Sequence, residues 1–287
     1  MSDPPELGER REVRLPAGTI RYHDRGNGPA IVFVHPMIVN GAMWRKMVPL
    51  LADRHRCITP DWPLGGHSVP MEHDADLTPP GLAALIASFL EALDLREVTL
   101  VGNDTGGAIA QLVATRHPDR LARLVVVTTD AFDNFPPPMG QFLQRLSYVP
   151  GVLAVAVRLA ALPGLRRLPV AFGWLAKRPI EPRVVRAYLR PSRRREIRRD
   201  GVKALRALNA RYTMETAAEL PSFGKPVLVA WNPEDRFFPY EHAERLAAII
   251  PGARLVAIDD SYTFVPEDQP RPLAEAIADF IAATPAR

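Results

Sequence analysis

An α/β fold with a mostly parallel central sheet is the architecture that this sequence predicts. Short apolar runs typical of buried strands alternate along the chain with stretches whose apolar residues recur at helical spacing. Such alternation places helices on both faces of a parallel sheet. One long segment lacks a convincing strand and is rich in proline. We therefore predict a single domain whose core comprises residues 1–134 and 221–287, with a helical cap inserted at residues 135–220.

The predicted core elements follow one another at short intervals. A hairpin is expected around residues 11–23, with its turn at residues 24–28, where Asp, Asn and two glycines cluster. Buried strands are predicted at residues 31–34, 56–59, 98–101, 124–127, 227–230 and 255–258. Core helices are predicted at residues 44–51, 79–93, 108–115, 241–250 and 272–283. Within the cap, helices are predicted at residues 141–146, 152–162, 182–189 and 193–208.

Composition excludes several classes of protein. The 287 residues are 47% apolar and 24% charged, as in an ordinary globular protein. The single cysteine, Cys57, excludes an internal disulfide and a thiolate metal cluster. No apolar stretch reaches the roughly 18 residues that a membrane span needs, and the polar start does not resemble a signal peptide. We expect a cytoplasmic protein that has no metal or cofactor and does not insert into membranes.

Residues 102–107 (Gly-Asn-Asp-Thr-Gly-Gly) carry the main chemical signal. They stand between a predicted strand and a predicted helix, which is the context of a nucleophile elbow. The glycines allow the helix to pack against the strand, and the tight turn lifts the central side chain into the site. Backbone N–H groups at the helix N-terminus favour negative charge there. Asp104 is therefore the candidate nucleophile, the alternative being a simple helix cap.

This motif and two loops make the chain resemble the α/β-hydrolase family over nearly its whole length. The resemblance implies a mostly parallel central sheet flanked by helices, with an inserted helical cap. Residues 34–37 (Val-His-Pro-Met) resemble the oxyanion loop, although proline stands where glycine is usual. The N–H groups of Met37 and Thr105 would be the oxyanion donors. Residues 231–239 resemble the loop of the catalytic acid, which makes Asp235 its counterpart.

An aspartate at the elbow narrows the resemblance to haloalkane dehalogenases, fluoroacetate dehalogenases and soluble epoxide hydrolases. In those enzymes a carboxylate attacks an sp³ carbon, and water then cleaves the alkyl-enzyme ester. Specific markers differ here. Thr105 stands where similar dehalogenases have a halide-binding tryptophan, and Met37 where many have asparagine. Three tyrosines of the cap, Tyr148, Tyr188 and Tyr212, are candidates for the epoxide-activating tyrosines or for packing.

The histidine that serves as general base in the family is absent. Aligned on the family pattern, Thr263 occupies its position, and threonine cannot act as a base near pH 7. Losing such a base costs roughly 10²–10⁴-fold in rate. Two residues are possible substitutes. His67 lies on a loop expected at the site, and Asp130 follows a strand after which some similar dehalogenases place their acid.

Three functions remain open on the sequence alone. The leading hypothesis is a hydrolase in which Asp104 attacks a small, largely apolar electrophile of the alkyl halide or epoxide type. The second is a lyase, isomerase or cyclase in which Asp104 acts as acid or base, since such a reaction needs no ester cleavage. The third is a ligand-binding protein that reuses the pocket after losing hydrolysis with the missing histidine.

Expected partners follow from the charge distribution. Arginines are concentrated at residues 190–200, which could attract an anionic substrate or form a solvated helix face. No nucleic-acid-binding motif accompanies them, so we expect no nucleic acid partner. The expected partner is a small-molecule substrate, and a homodimer is possible.

Overall fold

An eight-stranded sheet forms the centre of the computed structural model, which describes residues 4–162 and 164–285. The ends of the predicted core range, residues 1–3 and 286–287, lie outside this description. The strands are β1 (Glu9–Leu15), β2 (Gly18–Arg25), β3 (Ala30–Val34), β4 (Arg56–Pro60), β5 (Val98–Asp104), β6 (Leu121–Thr129), β7 (Val227–Trp231) and β8 (Arg254–Ala257). Their spatial order is β1-β2-β4-β3-β5-β6-β7-β8. Only the β1–β2 and β2–β4 pairs are antiparallel, so the predicted mostly parallel sheet is confirmed.

Helices flank this sheet. Those of the first half and the C-terminal part are α1 (Val48–Leu51), α2 (Pro79–Ala92), α3 (Thr105–Arg116), α9 (Tyr240–Ile249), α10 (Val265–Asp268) and α11 (Pro270–Ala283). Between β6 and β7 lie α4 (Pro138–Leu146), α5 (Val152–Ala160), α6 (Pro182–Leu189), α7 (Arg195–Ala207) and α8 (Ala210–Glu219). No strand lies in this interval among its described residues. Within the described chain, no helix has both the length and the apolar content that crossing a bilayer requires.

Two predicted elements differ in the structure. The hairpin is present, but its turn is at Pro16 and Ala17, because Leu15 pairs with Gly18. The glycine-rich residues 24–28, where the turn was predicted, instead connect β2 to β3. The predicted helix at residues 44–51 is divided between the end of a 3₁₀-helix, Gly41–Lys46, and the four-residue α1. Its start is fixed by Asn40, whose side chain accepts a hydrogen bond from the Ala42 N–H at 3.2 Å.

The central strands are apolar on both faces because helices cover both faces. Alternate residues enter different clusters: Val32 and Leu100 belong to one, whereas Ile31 and Val101 belong to the other. All four side chains are buried. The carboxyl ends of the parallel strands consequently meet at one edge of the sheet, where ligands bind in open α/β sheets.

The helices between β6 and β7 are fastened to loops at this edge. The Phe264 N–H donates to the Leu175 carbonyl oxygen at 2.6 Å. Asp200 of α7 accepts a hydrogen bond from the Met71 N–H at 2.9 Å. Gly201 packs so closely on Gly65 that an added Cβ would stand 2.8 Å from the Gly65 Cα. These contacts fix the helical segment above the strand ends.

Candidate active site

The elbow after β5 has the strained geometry that the motif predicts. Asp104 has φ 52° and ψ −132°, a conformation that is costly for a residue with a Cβ. Close packing requires the neighbouring glycines. A Cβ on Gly102 would stand 2.5 Å from the Gly106 carbonyl oxygen, and one on Gly106 would stand 2.3 Å from that of Val34. The strand-to-helix turn is therefore fixed by contact with β3 and by α3 itself.

The Asp104 carboxylate is held by one of its oxygens. Its Oδ1 accepts hydrogen bonds from the Thr105 N–H at 2.5 Å and the Thr105 hydroxyl at 3.1 Å. Its Oδ2 makes no hydrogen bond to another described residue. Burial raises the pKa of Asp104 to about 7, against the opposing effect of the two Thr105 hydrogen bonds. One oxygen is thus fixed at the helix N-terminus, and the other is free.

Asp104 opens onto a cavity of about 220 Å³ between the sheet edge and the helical segment. Its wall is mostly apolar and includes Met37, Leu143, Phe172, Leu205 and Phe238. Among the residues that the structure describes, the only acidic or basic side chains on this wall are those of Asp104 and Arg198, the latter from α7. Because drug-sized ligands usually occupy roughly 300–1,000 Å³, this cavity suits a small and largely apolar molecule.

The oxyanion donors expected from the sequence also lie on this wall. Met37 and Thr105 both line the cavity. The Met37 N–H donates to no other group within the described part of the chain. His35 holds this loop in place: its Nε2 accepts from the Trp62 N–H at 2.8 Å, and its Nδ1 donates to the Pro36 carbonyl oxygen at 2.8 Å. Burial lowers the pKa of His35 to about 4, so the ring is neutral.

Asp235 lies in the loop after β7, and its carboxylate is fully engaged. Its Oδ1 accepts from the N–H groups of Phe237 and Phe238 at 2.7 and 2.8 Å. Its Oδ2 accepts from Asn232 at 3.0 Å and from the Thr263 hydroxyl at 2.9 Å. Thr263, at the position where the family histidine was expected, therefore hydrogen-bonds directly to Asp235. Burial raises the pKa of Asp235 despite these bonds.

Asn103, which the sequence analysis did not single out, connects these parts. Its Nδ2 donates to the carbonyl oxygens of Thr263 and Val127, each at 2.8 Å, and to that of Thr128 at 3.2 Å. It thereby fixes the Thr263 loop beside the elbow. Its only sequence signal was its place directly before the nucleophile position.

Asp130 provides a second carboxyl group behind the elbow. The side chain is buried, and neither carboxyl oxygen has a hydrogen-bond partner. Burial raises its pKa well above the usual range, and the negative charges of Asp104 and Asp235 raise it further. Both effects favour the protonated form of Asp130. It does not line the cavity, so it is a neighbour of Asp104 rather than a group that faces a ligand.

His67, the other possible substitute for the absent base, has a different partner. Its Nε2 lies 3.2 Å from Oδ2 of Asp200 in α7, and its side chain is buried. Its Nδ1 has no hydrogen-bond partner. His67 neither hydrogen-bonds to Asp104 nor lines the cavity. Its position on a loop at the strand ends made it a candidate for the site, but the packing of α7 against that loop directs the ring to Asp200.

The three tyrosines of the helical segment do not line the cavity either. Tyr188 is buried and donates to Glu267 at 2.8 Å, in a cluster with Arg45. Tyr212 accepts a hydrogen bond from Arg211 at 2.6 Å, and Tyr148 is 64% exposed. Their contacts are those of packing residues. Among the described residues, no group of three or more His, Cys, Asp or Glu side chains is arranged to hold a metal ion.

Comparison with known proteins agrees with this geometry. The family described as alpha/beta hydrolase fold matches residues 29–270. The chain belongs to this family. Haloalkane dehalogenase 2 of Mycobacterium tuberculosis is 29% identical over 91% of this chain and 91% of its own. Cis-3-alkyl-4-alkyloxetan-2-one decarboxylase of Shewanella oneidensis is 26% identical over 92% of this chain and 86% of its own.

A solved structure extends the likeness to three dimensions. An alpha/beta hydrolase fold protein from Burkholderia ambifaria superposes with a TM-score of 0.80, covering 97% of this chain and 98% of that one. Identity is 23%, so this likeness concerns the fold alone. This protein therefore has the α/β-hydrolase fold, and a haloalkane dehalogenase is among its distant relatives.

Proposed function

We propose that this protein is an enzyme in which Asp104 attacks a small, largely apolar electrophile of the alkyl halide or epoxide type. The supporting observation is the asymmetry of its carboxylate. Oδ1 is held by Thr105, whereas Oδ2 is free on the side chain that lines the apolar cavity. A carboxylate held in this way presents one oxygen in a fixed orientation, which reduces the entropic cost of attack.

The proposed step conserves atoms and charge. Oδ2 forms a bond to an sp³ carbon, and the halide or epoxide oxygen leaves that carbon with the bonding electron pair. The product is an alkyl ester of Asp104. Its carbonyl oxygen is Oδ1, which the Thr105 N–H already contacts, and the free Met37 N–H on the same wall is the second donor. In this proposal, residues 135–220 act as a cap that covers the core of residues 1–134 and 221–287 and excludes water.

Relatives support attack by Asp104 but leave the fate of the ester open. One relative is named as a haloalkane dehalogenase and another as an alkyloxetanone decarboxylase. The Thr263 hydroxyl donates to the Asp235 oxygen to which an imidazole would donate. His67 is hydrogen-bonded to Asp200 instead of Asp104. The ester therefore lacks the usual base for hydrolysis. We expect hydrolysis to be slow, so that the alkylated enzyme accumulates.

A second candidate is a reaction without hydrolysis, with Asp104 as general acid or base. It is favoured by the pKa of Asp104, which burial raises to about 7, since an acid–base group works best with a pKa near the operating pH. Loss of CO₂, as in the name of the decarboxylase relative, is a reaction type that consumes no water.

The two candidates are separated by mass spectrometry. The protein is incubated with 1-haloalkanes and terminal epoxides of increasing chain length, and intact mass and peptide maps are recorded. We expect a single alkyl adduct on the peptide that contains Asp104, and none on Asp104→Asn. Asp130→Asn is the matched control, because Asp130 is buried and does not line the cavity. This variant should still form the adduct on Asp104. If no electrophile gives an adduct or a product, nucleophilic attack by Asp104 is refuted, and the acid–base reaction remains.

A further inference from the structure

A recess lined by arginines adjoins the cavity of Asp104. It has a volume of about 100 Å³ and is enclosed by α5, α6 and the start of α7. Five arginines line it: Arg158, Arg186, Arg190, Arg193 and Arg198. None of the five makes an ion pair with a carboxylate in the described part of the chain. Five uncompensated positive charges around one recess favour an anionic ligand.

The recess and the cavity share a wall. Four residues line both: Val157, Leu189, Ser192 and Arg198. Helix α5 stands between them, since Leu153, Ala156 and Ala160 face the cavity whereas Ala154 and Ala161 face the recess. The two spaces meet at the shared residues, so a ligand in the cavity can place a charged group beside Arg198.

Arg198 is held at this boundary. Its Nη1 donates to the carbonyl oxygens of Ser192 and Arg193, at 2.9 and 2.6 Å. Its Nη2 and Nε make no hydrogen bond to another described residue. Among the described residues that line the cavity, Arg198 and Asp104 are the only ones with charged or acidic side chains. A carboxyl group and a guanidinium group thus belong to the same, otherwise mostly apolar, wall.

We propose that the ligand of this site is an anionic amphiphile: a short alkyl chain that occupies the cavity, with a carboxylate or phosphate held by the arginines of the recess. The proposal extends the proposed function, since it places the reactive carbon of the chain toward Asp104 and the charged group away from it. An arginine guanidinium binds carboxylates and phosphates with two parallel hydrogen bonds, so both headgroups fit the same chemistry.

Calorimetric binding to Asp104→Asn tests the proposal without requiring any reaction. The probes are octanoate, octyl phosphate and 1-octanol, which share the chain and differ in charge. We expect both anions to bind more tightly than the alcohol, by about two- to fivefold for each arginine engaged. The difference should shrink as NaCl is raised, because salt screens exposed charges. The tighter of the two anions identifies the preferred headgroup.

Two glutamine variants identify the responsible charges. Arg190→Gln combined with Arg198→Gln should remove most of the preference for the two anions over 1-octanol. Arg195→Gln is the matched control, because Arg195 is an exposed arginine of the same basic run that does not line the recess. Equal binding of anions and alcohol, binding of none of the three, or an equal loss in Arg195→Gln would overturn the proposal. Selective anion binding without any Asp104 adduct would instead refute only the nucleophilic step.

Discussion

Replacing Asp104 by asparagine should make the protein more stable at pH 8 but not at pH 4. Burial raises the pKa of Asp104 from 3.8 to about 7. Between these values the folded state holds a proton that the unfolded chain releases, so stability falls as pH rises. A shift of about 3 units corresponds to about 4 kcal/mol at 1.36 kcal/mol per unit. Because the side chain is partly exposed to the cavity, this is an upper limit.

The assay is urea unfolding of both proteins at pH 4, 6 and 8, with comparison of the slopes to verify two-state behaviour. Asp200→Asn is a control of opposite sign. Burial alone would raise the pKa of Asp200, but hydrogen bonds from His67, Met71 and Arg199 outweigh it and lower that pKa. The ionised carboxylate therefore stabilises the fold at pH values above the usual pKa of an aspartate. That variant should be less stable than the wild type at pH 8. A stability gain in Asp104→Asn that does not change between pH 4 and 8 would refute the assigned pKa.

Three further outcomes are expected. Thr263→His should speed release of the Asp104 alkyl ester by roughly 10²–10⁴-fold in single-turnover experiments, and unchanged release would exclude Thr263 as the cause of slow hydrolysis. Adduct formation in the wild type should rise with pH and reach half its maximum near pH 7, because only the ionised carboxylate attacks; a pH-independent rate would contradict this. Glu267→Gln should lower the free energy of unfolding by about 3–5 kcal/mol, since it leaves Arg45 buried without its partner; a urea midpoint equal to that of the wild type would contradict this.

Features set by neighbouring residues could be predicted from the sequence. The elbow is one: the strand, the glycines and the helix are contiguous, and each restricts the same short stretch of backbone. The structure has Asp104 at the end of β5 and α3 beginning at Thr105. Helix α8 was missed because its buried face is partly polar. Thr213 and Thr216 are both buried there, so the apolar periodicity that reveals a helix is weak.

Contacts between distant segments could not be predicted in this way. Asn103 and Thr263 are separated by 160 positions along the chain, and no local pattern links them. His67 and Asp200 are separated by 133 positions, and a loop histidine carries no signal for its partner. The expected place of His67 at the site followed from its loop alone. Its actual contact depends on the docking of α7, which only the folded structure specifies.

The acid position has a use that does not depend on an imidazole. Asp235 accepts hydrogen bonds from the N–H groups of Phe237 and Phe238, and both phenylalanines line the cavity. The carboxylate therefore shapes the wall that a ligand contacts, whatever residue occupies position 263. The Thr263 hydroxyl donates to one oxygen of that carboxylate, Oδ2, and an imidazole at position 263 would be expected to donate to the same oxygen. The cavity, Asp104 and Asp235 thus remain arranged together with threonine at position 263, and in the proposed mechanism the site keeps the attack on its ligand while losing the release of the ester.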